Sequence, residues 1–212
     1  MSEPVRETLA SPPVPEPLKR FIWDIQSMVE LADSDREILL IGRDLMSRLV
    51  ASDDWLPAVF ADPGPDGCAH YQLYRDDQQR FTVVSTVLAA GHALPIVEDH
   101  VWEICGVLRG AVDRQHFTLA GDGIPAPRDE PDIINAGSIT TAPARKDAAT
   151  QMSNALTDAV SICIAVYGAE LGALARRTYA PGSPPQESPL VYANGEHLEP
   201  YDILSIQTRI VD

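Results

Sequence analysis

The apolar residues of this chain change their spacing near residue 70, and the change separates two kinds of secondary structure. Before that point, apolar positions recur every three or four residues over 18–31 and again over 38–50. This spacing places apolar side chains on one face of an α-helix. The pattern therefore predicts two amphipathic helices, and Asp33 or Ser34 is the expected N-cap of the second.

From Tyr71 onward, short apolar runs alternate with turn-forming residues. The runs lie at 71–74, 81–89, 104–108, 111–119, 159–167, 174–179 and 203–210. Short strands separated by turns rich in Gly, Pro and Asp are typical of an antiparallel β-sandwich or barrel. We therefore predict a mainly β fold, in which two N-terminal helices pack against a small β-barrel.

The N-terminal residues differ from the rest of the chain in composition. Residues 1–17 are rich in proline and have no apolar periodicity, so we expect a disordered or draped arm. The remaining residues, 18–212, are numerous enough to bury a sizeable core, and we expect them to form a single domain.

Charge and cysteine content narrow the function classes. The net charge of −15 argues against a nucleic-acid partner and against an anionic membrane surface. No run of about 18 apolar residues predicts a transmembrane helix, and the N-terminus lacks the pattern of a signal peptide. The odd number of cysteines, three, predicts reduced thiols in a cytoplasmic protein. The sequence leaves the oligomeric state open.

Acidic side chains and an imidazole crowd the segment between two predicted strands. Glu98, Asp99, His100 and Glu103 occur within six residues. Unpaired charge is costly to remove from water, so a cluster of this kind usually serves a metal, a proton transfer or a ligand. A solvated turn is the alternative.

Several short motifs make the chain similar to a known family. They are DDWLP at 53–57, RFTVVS at 80–85, VW at 101–102, GVLRGA at 106–111, SNA at 153–155 and VYGAELGA at 166–173. Over about 18–179 the chain resembles the cysteine dioxygenase family of cupins, and more closely its bacterial 3-mercaptopropionate dioxygenase branch. The resemblance implies that the predicted barrel is a cupin barrel.

The resemblance also shows a departure from the family. Its members hold one Fe(II) with three histidines, and imidazole suits iron when positions stay open for thiol and oxygen. The resemblance places those ligands at Val97, Asp99 and Thr150 of this chain. All three are replaced, so we predict no cofactor and no thiol dioxygenase activity.

Other family positions suggest that a ligand pocket persists. Of a Ser-x-His-x-Tyr relay only Tyr167 remains, because Cys163 and Ala165 replace the first two residues. Arg176 stands where the mercaptopropionate branch holds the substrate carboxylate, and His70 stands where relatives direct a Gln or Arg into the pocket. With Thr150, these residues are the expected substrate contacts, and the expected ligand is a small molecule that carries a carboxylate.

Three hypotheses remain open. The one we adopt is a repurposed enzyme that uses Tyr167 and the cluster of Glu98, Asp99, His100 and Glu103 for acid–base chemistry without Fe(II). The second is a metal enzyme whose divalent ion, iron or another, binds a rebuilt carboxylate and histidine site. The third is a binder or pseudoenzyme without catalysis.

Strand alternation makes a further prediction about the cluster. If Val97 faces the barrel interior, Asp99 and Glu103 face it too, whereas Glu98 and His100 face away. Two close carboxyls could not both stay ionised, so one would hold a proton unless a cation intervened. A bulge that turned Glu98 and His100 inward would instead favour the rebuilt metal site.

Overall fold

The chain opens with two packed helices. The structure, a computed structural model, describes residues 12–98, 100–119, 124–180, 183–195 and 198–207. Helix α1 spans Glu16–Leu31 and helix α2 spans Asp35–Leu49. The predicted N-cap of α2 is Ser34, whose hydroxyl accepts a hydrogen bond from the Glu37 amide. Both helices are confirmed, although α1 begins two residues earlier than the pattern predicts. None of the helices in the described part of the chain combines the length and apolarity needed to cross a membrane.

Beyond the helices the described chain is mostly strand. A 3-10 turn at Ala58–Phe60 leads into the sheets. The strands are β1 (Cys68–Arg75), β2 (Thr82–Leu88), β3 (Ile96–Glu98), β4 (Glu103–Arg109), β5 (Ala111–Leu119), β6 (Pro125–Pro127), β7 (Asp132–Asn135), β8 (Ile139–Ala142), β9 (Ala148–Asn154), β10 (Ser161–Tyr167), β11 (Arg176–Tyr179) and β12 (Gln186–Ser188).

Two curled antiparallel sheets enclose a central lumen. The first has the strand order β1-β2-β10-β4-β8, and the second has the order β12-β11-β3-β9-β5-β6, with β7 also paired to β5. Strands that are neighbours in sequence are therefore often in different sheets, as in a double-sheet jelly roll. The predicted fold class, mainly β with a barrel of curled sheets and two N-terminal helices, is confirmed.

The outer face of the first sheet packs against the helices. Side chains alternate along β10, so Ile162, Ile164 and Val166 join the helix-facing core. Helix α2 approaches β4 closely at Gly106, where an added Cβ would lie only 2.8 Å from a carbon of Met46. The absence of a side chain at this glycine is what lets the helix lie against the strand.

The inner faces of both sheets meet in a second apolar cluster that fills one end of the lumen. Its buried members are Leu88, Cys105, Val107, Val112, Met152, Cys163 and Ala165. The buried amide of Asn154 closes this end by donating to the backbone carbonyls of Leu88, Ala89 and Ala159 at 2.8 to 3.0 Å. The asparagine of the SNA motif is thus a structural residue.

One predicted strand is wrong. The apolar run at 203–210 begins with a short helix, α3 (Ile203–Ile206), and residues 208–212 lie outside the described residues. Asp202 caps this helix, since its side chain accepts from the Ser205 amide while the Ser205 hydroxyl bonds back to the cap. A capping box favours helix, whereas a short apolar run alone does not distinguish helix from strand. Of the predicted arm, residues 1–11 also lie outside the described residues.

Candidate functional site

The other end of the lumen is open, and ionisable side chains lie among apolar ones on its walls. It holds a cavity of about 350 Å³, a size found for small-molecule sites. Both sheets supply its ionisable and hydroxyl-bearing walls. These include His70, Glu98, His100, Glu103, Arg114, Thr150, Tyr167 and Arg176. Seven of the eight predicted site residues therefore line one cavity, and the eighth, Asp99, lies outside the described residues.

Two of the three positions that the resemblance assigns to iron ligands, Val97 and Thr150, line this cavity, and the third, Asp99, lies outside the described residues. Val97 on β3 is the register partner of Thr150 on β9 and of Thr178 on β11, and all three line the cavity. A valine side chain has no donor atom, and a threonine hydroxyl is a poor substitute for imidazole. Within the described ranges, no three His, Cys, Asp or Glu side chains converge as a metal site. The residues present do not fit a three-histidine Fe(II) centre.

At the cavity mouth, Glu98 and His100 form a hydrogen-bonded pair. His100 Nε2 lies 2.7 Å from Glu98 Oε2. The Tyr179 hydroxyl donates to the other carboxyl oxygen at 2.7 Å, and Arg177 lies 3.4 Å from that same oxygen. Burial, with help from the bond to Glu98, raises the pKa of Tyr179 and keeps it a donor. A carboxylate oxygen can only accept, so the hydrogen bond to Glu98 requires the proton of the neutral imidazole to be on Nε2. The other ring nitrogen, Nδ1, then carries a lone pair.

The orientation of Glu98 follows strand alternation. Its carboxyl contacts Tyr179, which comes one residue after the cavity-lining Thr178 on β11 and so lies on the opposite face of that strand. The Glu98 carboxyl therefore lies on the side of β3 opposite Val97, although the residue still borders the cavity. Strand β3 ends at Glu98, so alternation does not fix the direction of His100. Within the described residues, no third metal-ligating side chain joins the pair.

Deeper in the cavity, Glu103 is paired with Arg114. The guanidinium Nη2 donates to the Glu103 carboxylate at 2.6 Å, and Nη1 donates to the Thr140 hydroxyl at 2.7 Å. Burial, the largest single influence, lowers the pKa of Arg114, but the charge and hydrogen bond of Glu103 together with nearby Cys105 and Tyr167 raise that pKa overall, so the guanidinium stays charged. Arg114 is therefore the cation that pairs with the Glu103 carboxyl.

The sequence pattern alone did not single out Arg114. The feature that could identify it is its position on β5, two residues after Val112. Residues two apart on a strand point to the same side, so both side chains lie on the lumen-facing side of β5. An arginine on a face otherwise directed into a buried lumen requires a partner. That partner is 11 positions earlier in the chain, on a strand of the other sheet, which no local spacing reveals.

Tyr167 lies on the cavity wall beside Glu103. The two residues are register partners on β10 and β4. Burial, followed by the Glu103 charge, raises the pKa of Tyr167 well above its usual value. The phenol is thus neutral at physiological pH and can donate a hydrogen bond or a proton.

Arg176 and His70 form the remaining polar wall. The Arg176 guanidinium carbon lies 6.0 Å from the centre of the Tyr167 ring, and its Nε is buried without a hydrogen-bond partner in the described structure. His70 Nδ1 lies 3.0 Å from the Thr86 hydroxyl. Burial, reinforced by the Arg176 charge, lowers the pKa of His70 to about 4, so this imidazole is neutral at pH 7.

Thr150 occupies the middle of the wall formed by β9. Its hydroxyl lies 3.4 Å from Nδ1 of His116, a residue of the neighbouring strand β5. The hydroxyl is therefore oriented by a histidine that the sequence motifs do not include. It can supply a neutral polar contact to a bound molecule.

No family model matches the chain. Among solved structures, the Cnp3 cupin domain of Schizosaccharomyces pombe is 10% identical with a TM-score of 0.38, over 48% of this chain and 61% of that one. The TT1209 protein of Thermus thermophilus is 17% identical with a TM-score of 0.41, over 53% and 92%. Oxalate oxidase is 14% identical with a TM-score of 0.37, over 50% and 52%. The chain thus spans less than two thirds of the first and third of these structures, and likeness at this level carries no conclusion about activity.

Proposed function

We propose that this cupin binds a small carboxylate-bearing molecule in the lumen and acts on it by acid–base chemistry that does not use a three-histidine Fe(II) site. The observation that carries the proposal is the Arg176 guanidinium. It lines the cavity, and no carboxylate among the described residues pairs with it. A guanidinium in such a place suits an incoming carboxylate, whose two oxygens match its two parallel N–H groups.

The surroundings of Arg176 favour a ligand over a protein partner. The Tyr167 ring packs near one side of the guanidinium, and the neutral His70 approaches it without supplying a negative charge. A buried N–H group without an acceptor is destabilising, and such groups in folded proteins usually have an explanation in function. A carboxylate that enters the cavity would pair with the charge of the Arg176 guanidinium, which no described carboxylate compensates.

His100 supports the acid–base part of the proposal. Glu98 Oε2 lies 2.7 Å from its Nε2, so Nδ1 carries the lone pair of the neutral ring, and His100 borders the cavity. The Tyr179 hydroxyl in turn donates a hydrogen bond to Glu98. A histidine oriented by a carboxylate that is itself held by a hydrogen bond is a common arrangement for a general base. His100 is accordingly the proton acceptor of the proposed reaction.

Tyr167 is the matching proton donor. Its phenol is neutral and borders the same cavity as the His100 imidazole and the Arg176 guanidinium. Glu103, which is fixed by Arg114, contributes a negative charge that keeps the Tyr167 proton in place. A base at the mouth and a donor on the wall suffice for proton removal and return on a molecule anchored at Arg176.

The test combines binding with proton exchange. Propionate, pentanoate and 3-mercaptopropionate are added to the protein in D₂O, and NMR follows both binding and the replacement of carbon-bound hydrogen by deuterium. We expect binding of at least one acid, weakened roughly ten- to a hundredfold by Arg176→Ala. His100→Gln should abolish exchange and leave binding in place.

Arg128→Ala is the matched control, because Arg128 is an exposed arginine paired with Asp129 outside the cavity. Binding that survives Arg176→Ala unchanged overturns the carboxylate site. Binding without any exchange in the unaltered protein identifies a non-catalytic binder. Metal that copurifies and is lost specifically in the His100 variant would support the rebuilt metal site instead.

A further inference from the structure

Apolar side chains form much of the cavity wall, and the acid–base groups do not account for them. They include Leu94, Val97, Val101, Met152, Leu190 and Val191. Several of them are not packed away from solvent, since Val191 is 81% exposed and Leu94 and Val97 are partly exposed. An apolar group that covers such a wall releases the water against it, which is favourable. The wall therefore favours a ligand with an apolar part.

Strand register gives the order of these side chains relative to Arg176. Arg176 precedes Thr178 by two residues on β11, and Thr178 is the register partner of Val97. Val97 pairs in turn with Thr150 on β9, and Met152 lies two residues beyond Thr150 on the same side of that strand. Because the strands are antiparallel, Arg176 and Met152 lie on opposite sides of the Val97 level. Each step of two residues covers about 7 Å, so the wall has room for the chain of a small acid between them.

The inner end of this path is apolar. Met152 is 8% exposed and belongs to the closed-end cluster, against which Leu94 packs. The Leu94 amide donates to the Met152 carbonyl at 2.9 Å, which keeps the two residues side by side. The packed core of the closed end thus continues into the cavity wall.

The charged groups near the inner end are already paired within the protein. Arg114, the register partner of Met152, donates to Glu103 and to Thr140 through its two terminal nitrogens. A second charge on the ligand at this depth would leave water without a free partner among the described residues, which is costly. The cavity therefore suits one charge, at Arg176, and an uncharged remainder.

From this arrangement we infer that the ligand is an aliphatic monocarboxylic acid, whose carboxylate pairs with Arg176 and whose chain lies along Val97 toward Met152 and Leu94. The inference rests on the proposed function and names its substrate class. The carboxylate supplies the anchor, and burial of the chain supplies the remaining affinity.

The first test varies the chain and keeps the carboxylate. Calorimetry on the unaltered protein measures acetate, butyrate and hexanoate. Affinity should rise by roughly three- to fourfold per methylene, as for other buried CH₂ groups, and the heat capacity change should become more negative as the chain lengthens. Adipate, 5-hydroxypentanoate and 5-aminopentanoate replace the terminal methyl of hexanoate by a polar group, and each should bind roughly tenfold or more weakly than hexanoate.

The second test locates the chain without a variant that could fail to fold. The sequence has only four methionines, so their methyl resonances are few. In protein with ¹³C-labelled methionine methyl groups, the Met152 resonance should shift further with hexanoate than with acetate. Met46, which is fully buried against the helix-facing side of the first sheet, is the internal control and should stay in place with both. Met152→Leu and Met46→Leu, which nearly conserve volume, assign the two resonances.

The third test changes the wall. Val97→Thr replaces a methyl group by a hydroxyl, so hexanoate should bind roughly threefold or more weakly while acetate binding stays unchanged. Ile133→Thr is the matched control, because Ile133 is 65% exposed and lies outside the cavity, and it should change neither affinity.

The outcomes separate the inference from the proposed function. Equal affinity for acetate and hexanoate, with both weakened in Arg176→Ala, overturns the inference and leaves the carboxylate site standing. Tighter binding of adipate or of the hydroxy or amino acid does the same. Hexanoate that binds without shifting the Met152 resonance, or with the same affinity in Val97→Thr, overturns the placement of the chain. Failure of every acid to bind overturns both the inference and the proposed function.

Discussion

The two ends of the barrel lumen are built from the same strands and have opposite character. At the closed end, side chains such as Val107, Val112 and Met152 fill the space between the sheets. At the open end, the lumen-facing positions carry Glu103, Arg114 and other ionisable groups around the cavity. The fold that makes a dry core at one end thus makes a ligand cavity at the other.

The change occurs along individual strands. Strand β10 presents Cys163 and Ala165 to the closed end and then Tyr167 to the cavity. Strand β5 presents Val112 and then Arg114 in the same way. The comparison shows that strands of both sheets carry apolar side chains at the closed end of the lumen and ionisable or phenolic side chains at its open end.

Even the Cys163 thiol of the closed end stays uncharged. A hydrogen bond with Cys105, and then burial, raise the pKa of the Cys163 thiol. The closed end can therefore stay free of charge, as a tightly packed core requires. Charge is confined to the open end, where ion pairs and the proposed ligand satisfy it.

Arg114→Met should cause the largest loss, because it leaves Glu103 buried and unpaired. We expect the free energy of unfolding to fall by about 3–5 kcal/mol, and denaturant titration measures it. Arg109→Met is the control, since the exposed Arg109–Asp53 pair should contribute about 1 kcal/mol or less. Adding Glu103→Met to the Arg114 variant should restore most of the loss. A single Arg114 variant as stable as the parent would show that the open end does not depend on this pair.

Leu88→Ala should open a void in the closed end. Leu88 is 1% exposed, so we expect a loss of about 2–5 kcal/mol in the free energy of unfolding. Leu94→Ala, at the partly exposed cavity wall, should cost clearly less, because solvent already reaches that side chain. Equal losses at the two leucines would contradict the distinction between a filled end and an open end.

His70, at the open end, should make the free energy of unfolding depend on pH. Because the folded pKa of about 4 lies below the unfolded value of 6.5, the unfolded chain binds the proton first as the pH falls. Stability should therefore decline between pH 6.5 and 4 by at most about 3 kcal/mol and rise again as the pH is raised. Denaturation curves across this window measure the slope, and His70→Asn should flatten it. An unchanged slope in the variant would place the titrating group elsewhere.

Arg176→Ala should hardly change stability, in contrast to Arg114. Arg176 has no ion pair to lose in the described structure, so the free energy of unfolding should stay within about 0.5 kcal/mol of the parent. The midpoint of thermal unfolding without added acid measures this effect. A loss as large as that of Arg114→Met would show that Arg176 serves the fold.

The smallest expected effect is that of Fe(II) loading on thiol oxidation by the protein. Incubation with Fe(II), followed by cysteine or 3-mercaptopropionate, should give no oxygen uptake and no sulfinate, because Val97 and Thr150 cannot replace imidazole. A Val97→His/Thr150→His variant is the comparison, since it puts two imidazoles on register partners that face the cavity. It should retain more iron than the parent by elemental analysis. Sulfinate production by the unaltered protein would contradict this prediction.

The sequence predicted cavity-lining residues of two kinds: those at positions of the family motifs and those in the acidic cluster. Tyr167, Arg176 and Thr150 follow from motif spacing, and all three line the cavity. Glu98 and His100 follow from the cluster, and the direction of Glu98 follows from alternation along β3, whereas that of His100 does not, because β3 ends at Glu98. Arg114 followed from neither, since its role depends on a partner from the other sheet.

The sequence by itself determined the two helices, the mainly β class and the loss of the three-histidine pattern. These depend on local periodicity and on residue identity, which are present in the linear chain. Only the tertiary structure decided that Arg114 pairs with Glu103, that Tyr179 and Glu98 orient His100, and that no carboxylate of the described residues pairs with Arg176. The reason is physical: charge compensation and burial act through space, so they are set by the packing of two sheets rather than by neighbours in sequence.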